Sequence, residues 1–383
     1  MATAKPASII FISLVIILIF TYLSFYSLLP KEISDLNTSV TSFSTERAMK
    51  QLEFIAKKPH SVGTKAHKEV REYILEELVK LGLEPQVQVG YTFDQWGGYG
   101  NLVKPKNILA RIPGTGSGKA ILLMSHYDSA PHSSSYGASD AGSGVVTILE
   151  GVRAYLSSGA IPKNDIIICF TDAEELGLNG ASLFVNEHQW AKDIKIALNF
   201  EARGSGGPSN MIVETNGGNA NLIKGFKEAG VDYPVATSLM YSIYKMLPND
   251  TDSTVLREDG NIDGFFFAFI DDHFDYHTTN DTTENLDKNS LEHQGSYLMP
   301  LLKYYADADL SKVNATEDYV YFDAVFIKFM AYPFSWIWPM LILAFILFIG
   351  LIFYGSKKGK INGATHGLYC SINYVEGDGR DRK

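Results

Sequence analysis

"DIIICFTDAEELG", residues 165–177, is an apolar run that ends in a threonine, an aspartate and two adjacent glutamates. A run that is apolar at every position predicts a strand buried on both faces, as in a parallel sheet covered by helices. Similar runs recur at 106–113 ("KNILARIP"), 119–128 ("KAILLMSHYD"), 195–202 ("KIALNFEA") and 264–271 ("GFFFAFID"). Helical patterns at 143–159, around 179–188 and at 219–230 alternate with them. Two amphipathic helices (44–56 and 65–82) and a strand-like run (86–93) come before. The alternation predicts an α/β fold, with a mostly parallel central mixed sheet sandwiched by helices. "GTGSGK" (114–119) lacks the phosphate-loop spacing and reads as a hairpin turn.

The chain has 383 residues, a globular composition (46% hydrophobic, 20% charged) and a formal net charge of −10. That charge argues against nucleic acid as a partner, because a phosphate backbone selects basic faces. Of its two cysteines, Cys169 lies inside the apolar run and reads as a core residue, and Cys370 falls in a polar tail. Two cysteines make no disulfide framework.

The ends carry two uncharged stretches, 7–29 and 331–355. At 1.5 Å per residue each is long enough for a bilayer core of about 30 Å. The first lacks the short apolar region and small-residue cleavage site of a signal peptide, and reads as an uncleaved signal anchor. The second begins with Tyr332, Trp336 and Trp338 and is followed by "KKGK" (357–360), which places its C-terminal side in the cytoplasm. The expected organisation is a cytoplasmic N-terminus (1–6), the anchor (7–29) and a Ser/Thr-rich stalk (30–45). A catalytic domain (46–312), a juxtamembrane segment (313–330), the second span (331–355) and a cytoplasmic tail (356–383) complete it. The domain between the spans faces away from the cytosol. Asn37, Asn249, Asn280 and Asn314 are glycosylation triplets within it.

Ligands of open α/β sheets gather beyond the carboxyl ends of the strands. Here those ends deliver His126 and Asp128; then Asp172, Glu174 and Glu175; then Glu201 and Arg203. Asp140 opens the helix after His126, and His277 follows the last strand. Any one of these alone is an ordinary loop residue or helix cap, as Asp140 would be. Together they form a set of histidines and carboxylates suited to zinc, and a pair of metals requires about five such ligands with one bridging.

His126-Tyr-Asp128, Ser139-Asp140 with Gly142 and Gly144, Asp172-Ala-Glu174-Glu175-Leu-Gly, Asn199-Phe-Glu201-Ala and Tyr276-His277-Thr resemble the ordered motifs of the co-catalytic di-zinc aminopeptidases. "FEARGSGGP" (200–208) and "NDTDSTVL" (249–256) resemble the membrane-bound branch, the endoplasmic reticulum metallopeptidases and vacuolar membrane proteases. The resemblance implies the zinc-exopeptidase fold, two zinc ions and peptide substrates. It makes His126, Asp140, Glu175, Glu201 and His277 the metal ligands, with Asp140 bridging, Glu201 beside His126 and Glu175 beside His277. It makes Glu174 the general base, Asp128 the acceptor for the other N–H of His126, and Tyr276 a candidate oxyanion donor. Arg203 and Asp252 are candidate substrate contacts. His60 is structural, and His273 is a rival to His277 as ligand. The location implied is a membrane, with the catalytic domain in the periplasm or exterior of a bacterium, or in the vacuole or endoplasmic reticulum lumen of a eukaryote. The same fold also hosts glutaminyl cyclase-like acyltransferases, which resemble a one-zinc site, and non-catalytic membrane scaffolds, which tend to lose ligands. Members of the branch usually continue through several further spans, and the tail "NGATHGLYCSINYVEGDGRDRK" (362–383) departs from their pattern.

Overall fold

A computed structural model of the chain describes residues 7–358, apart from 97–98, 117 and 248–249. The 1–6 segment, Asn249, and most of the 356–383 tail with Cys370 lie outside the described residues. The chain divides into two units, Met1–Tyr332 and Pro333–Lys383.

The first unit opens with helices α1 (Ala7–Tyr26), α2 (Thr45–Ile55) and α3 (Lys65–Lys80). Strands β1 (Gln86–Val89), β2 (Thr92–Trp96), β3 (Tyr99–Val103), β4 (Lys106–Ile112) and β5 (Ala120–His126) follow. Then come α4 (Gly144–Ser157), β6 (Asp165–Thr171), α5 (Asn179–Glu187), β7 (Ile194–Ala202) and β8 (Gly206–Glu214). Helices α6 (Ala220–Ala229), α7 (Ser238–Tyr244) and α8 (Asp252–Glu258) lead to β9 (Gly264–Asp271) and the long α9 (Lys288–Asp307). A hairpin, β10 (Tyr319–Ala324) and β11 (Lys328–Pro333), closes the series. The second unit is built on α10 (Ile337–Lys357).

Seven strands form one sheet in the order β1-β4-β6-β5-β7-β9-β8. Its centre is parallel (β6, β5, β7 and β9), and β1, β4 and β8 pair antiparallel at the edges. Alternation along the strands divides the core in two. Ile121, Leu123, Ile166, Ile168 and Phe170 pack with α2, α3, α4 and α9, whereas Leu122, Met124, Ile167 and Cys169 pack with α5 and Leu256 of α8. This is the mostly parallel mixed sheet between helical layers that the apolar runs predict. Cys169 is buried, as its run implies.

Both ends of the domain expected over 46–312 differ from the sequence reading. Residues 30–45 are no free stalk. Arg47 donates to the carbonyls of Leu36, Thr38, Ser39 and Ser42, and Ser34 donates to Glu292 of α9. Phe43 enters the core at 6% exposure, where Gly295 leaves room for its ring. The polar composition misleads because its partners lie far along the chain. The domain also runs past 312: Tyr321 and Phe329 of the hairpin belong to the main core. The second apolar helix accordingly begins later than 331, because 331–333 complete β11.

Two helices are long and apolar enough to cross a membrane, over Ile9–Tyr26 and Phe334–Lys357, each with a mean hydropathy of 2.6 and none of it buried. A helix of about 20 residues matches a bilayer core of about 30 Å.

Phe43→Ala is expected to lower the unfolding free energy of the detergent-solubilised chain by about 3 kcal/mol; a free stalk would leave urea unfolding unchanged. A second expectation concerns His293 of α9, whose Nδ1 accepts from the Ser209 N–H and whose Nε2 donates to the Tyr233 carbonyl. Burial pulls its imidazole from 6.5 down to about 4. Between those values the unfolded chain binds a proton that the folded one refuses, so stability falls as pH drops from 6.5 towards 4, and above 6.5 this contribution is constant. The stability-versus-pH slope in that window should be shallower in His293→Asn.

Candidate metal centre

The parallel register brings four strand ends to one edge of the sheet: His126 pairs with Thr171, and Glu201 lies in β7 beside Ala268 of β9. Beyond β6 the backbone turns sharply at Ala173 (φ 63°), a buried alanine in the left-handed region. That turn sends the two adjacent glutamates in different directions. Glu174 Oε2 lies 3.9 Å from His126 Nε2, and Glu175 Oε2 lies 3.0 Å from His277 Nε2. The Asp128 carboxylate accepts both of their backbone N–H groups, at 3.1 and 3.4 Å.

Asp140 sits in the irregular turn (Ala138–Ser143) that leads into α4, and the Asp140–Ala141 peptide bond is cis. Asp281 holds this turn by accepting the N–H groups of Ser139 (2.6 Å) and Asp140 (3.3 Å). Gly144 lets the turn approach the sheet, since a Cβ there would meet the Phe200 carbonyl and the Ser125 hydroxyl at 2.4 Å. One Asp140 oxygen then lies 3.2 Å from His126 Nε2 and the other 3.0 Å from His277 Nε2. Glu201 Oε2 stands 3.5 Å from His126 Nε2, and its other oxygen accepts from the Asn199 amide.

Two cradles share Asp140: His126, Asp140 and Glu201 form one, and Asp140, Glu175 and His277 form the other. A third group, His126 with Glu174 and Glu175, lacks Asp140, and the candidate ligand atoms of each group lie within 4.8 Å of one another. His126, Asp140 and Glu201 are buried. Glu175 Oε1 and His277 Nε2 are buried yet have no hydrogen-bond partner among the described residues. Buried polar atoms are normally satisfied, so these orphans, converging with neighbouring carboxylates, fit a cation. Hard carboxylates with borderline imidazoles fit zinc.

The charges perturb one another. Burial pushes the Glu175 carboxyl up to about 8 and lifts that of Glu174 well above the usual carboxylate range, helped in each case by carboxylates nearby. Burial opposes charge on His277, but the Asp140 and Glu175 carboxylates 3.0 Å from its Nε2 outweigh it and raise the ring to about 10. For His126 burial is likewise outweighed, by Glu174 and Glu201. Four carboxylates thus share two imidazoles, a surplus of negative charge that a divalent ion would neutralise.

Several residues stand elsewhere than the strand-end reading expects. Asp128 does not hold His126 through its carboxylate, which is 3.6 Å from Nδ1; its backbone carbonyl does, at 3.0 Å. The carboxylate is turned instead to the amides of Glu174 and Glu175. Asp172 faces away from the cradles, accepting from His67 Nε2 (2.8 Å) and the Lys106 N–H (2.7 Å). Asp252 is fully buried behind β6, where the Thr171 hydroxyl donates to it, and it does not line the cleft. His273 is exposed and belongs to neither cradle, and His60 is tied to Lys58 and Ser129. Asp281 and His67 support the site without a clear sequence signal. The "Asn-Asp" after His277 was the one trace of Asp281, and His67 reads in sequence as an ordinary helical residue.

Beside the cradles is a cleft of about 120 Å³ lined by Glu174, Arg203 and Tyr276 on one side and by Ile212, Met240 and Phe266 on another. The Tyr276 ring stacks on His277 and lies under the Arg203 guanidinium, 5.5 Å from its centroid. Burial, reinforced by Asp140, keeps the Tyr276 phenol protonated well above its ordinary range.

Residues 107–302 match the model of peptidase family M28. The chain is 32% identical over 294 residues to the vacuolar membrane protease of Candida tropicalis, covering 74% of this chain and 31% of that one. It is 29% identical over 311 residues to human endoplasmic reticulum metallopeptidase 1, covering 77% and 33%. The chain therefore spans about a third of the length of the curated relatives it matches. In fold it is similar to a Zn-dependent exopeptidase from Parabacteroides distasonis (TM-score 0.54, 22% identity, 70% of this chain and 99% of that one). It is equally similar to the glutaminyl cyclase of Porphyromonas gingivalis (TM-score 0.54, 22% identity, 69% and 99%).

Proposed function

The chain belongs to peptidase family M28, and on that premise we propose that it is a membrane-anchored aminopeptidase that uses two zinc ions. Asp140 carries the reading, because its two oxygens face two different histidines, at 3.2 and 3.0 Å. In this reading His126 and Glu201 would hold one zinc and His277 and Glu175 the other, with Asp140 offering an oxygen to each group. Zinc bound there supplies Lewis-acid polarisation of the scissile carbonyl and acidifies a water.

The remaining work falls to the chain. Glu174 lines the cleft but is left out of both cradles that Asp140 joins. It takes the proton of the attacking water and returns it to the leaving amine. A carboxyl lifted by burial is suited to both transfers. Tyr276, kept protonated, donates to the oxygen that gains charge as the carbonyl is attacked. The Asp128 carbonyl orients the His126 ring, and its carboxylate fixes the turn that separates Glu174 from Glu175. The substrate's free amine pairs with the acidic edge, and the apolar wall of Ile212, Met240 and Phe266 favours an apolar first side chain. Both apolar helices cross the membrane, and the domain between them faces away from the cytosol.

Zinc content by elemental analysis, with hydrolysis of aminoacyl-arylamides, tests this for the wild type and Glu174→Gln. Two zincs per chain are expected in both, with turnover reduced by about 10²- to 10⁴-fold in the variant. Chelation should abolish turnover, and added zinc should restore it. Near one zinc, with cyclisation of N-terminal glutaminyl peptides, would favour a cyclase. No zinc and no turnover would favour a scaffold. Among the arylamides, leucyl should outpace glutamyl.

A further inference from the structure

The turn of the β10–β11 hairpin has an unusual composition. It reads Ala324-Val-Phe-Ile327, closed by the Ile327 N–H donating to the Ala324 carbonyl at 3.2 Å. Phe326 occupies a left-handed backbone conformation (φ 72°), and so does Lys328 (φ 61°). Such positions select glycine or asparagine, and a bulky residue there is disfavoured by its own backbone. Phe326 and Ile327 are nevertheless 74% and 61% exposed. Folding alone gives no reason for two large apolar side chains at that tip.

The neighbour of the tip does. Phe326 packs edge-to-face on Phe20 of α1, with ring centroids 5.8 Å apart. Phe20 lies six residues before Tyr26, the end of the helix, or about 9 Å along its axis. If α1 crosses a bilayer, a side chain at that level lies below the headgroups. The polar residues nearby stand higher: Lys31 lies over the Tyr26 ring, 4.2 Å from its centroid, and Lys328 pairs with Asp232 at 2.8 Å. Lysine and tyrosine at the end of an apolar helix are the residues of a membrane interface. Between α1 and the hairpin a cavity of about 620 Å³, lined by Ser24, Leu28, Lys31, Phe326 and Lys328, leaves room for lipid.

We propose that the β10–β11 turn is a finger that inserts Phe326 and Ile327 into the bilayer beside α1, with lipid filling the gap between them. The finger rests on the reading of α1 as a membrane anchor. It gives the domain a further point of attachment besides the two apolar helices, some 300 residues from α1 in sequence. It also joins the membrane to the cleft. Asp323 of β10 exchanges hydrogen bonds with Ala236, at 3.0 and 3.1 Å. Thr237 then caps α7, whose Met240 and Ile243 form part of the cleft wall.

Nitroxide accessibility tests the finger in the full chain reconstituted in phosphatidylcholine vesicles, with Cys370 replaced by serine; the remaining Cys169 is buried. Labels are placed by Phe326→Cys, Ile327→Cys and Phe20→Cys, and by Ile161→Cys at a 74% exposed site as an aqueous control. The expected result is oxygen-rich collisions at 326 and 327, with loss of accessibility to a water-soluble nickel chelate down to the level seen at 20. Chelate access at 326 and 327 equal to that at 161, while 20 stays protected, would overturn the finger and leave the anchor standing. Access at 20 as well would overturn the anchor and the finger with it.

Discussion

Everything at the candidate metal centre depends on four parallel strands leaving the sheet on the same side. β5, β6, β7 and β9 run parallel, with one register shift between β5 and β7 at Ala120 and Ile121, at the opposite end from His126, so that His126, the turn at Glu174 and Glu175, Glu201 and the loop to His277 open onto one edge. A slip of one residue in β7 would turn Glu201 to the opposite face of the sheet. The apolar runs that make these strands also exclude water from their ends. The edge is therefore largely buried as well as crowded, and burial strengthens the electrostatic interactions placed there.

Crowding carboxylates in such a place has to be offset. Two like charges about 4 Å apart repel by about 4 kcal/mol at an effective dielectric of about 20. The surrounding chain relieves only part of this. Asn199 donates to Glu201, while the backbone amides of Glu174 and Glu175 are given to Asp128, a residue outside both cradles. Asp281 spends its own acceptors on the turn that carries Asp140. The protein thus uses carboxylates to shape the backbone around other carboxylates. That arrangement leaves the oxygens of the inner group facing one another, and it is stable where cations lie among them.

The strands and their acidic exits were legible because both follow from local pattern: an unbroken apolar run, then a carboxylate. Pairing His126 with Glu201, and His277 with Glu175, needed the resemblance to a family, since spacing cannot say which strand ends adjoin. What sequence reading missed is non-local. Residues 30–45 look like a polar tether until Arg47 is seen gathering the carbonyls of 36–42, with Glu150 of α4 fully buried against it. Asp172 stands in the same acidic cluster as Glu174, yet it turns back to His67, which stacks on Tyr127. Nothing in "TDAEE" separates the inward carboxylate from its neighbours; the left-handed turn at Ala173 does.

Helix α9 shows why such distant contacts decide the form of the site. Successive side chains on a helix point about 100° apart, so a short segment can hold several elements at once. Glu292 accepts from Ser34 and Thr45 and ties down the N-terminal segment. His293 joins β8 to the loop at Tyr233. Gln294 donates to the Glu201 carbonyl and accepts from Thr147 of α4, linking a metal-cradle strand to the helix that follows Asp140. Gly295, without a side chain, receives Phe43. Each of these four positions needs its own residue type, and each serves a different part of the fold. A change among them would reach the cradle by moving the elements that aim Glu201 and Asp140, without touching either carboxylate.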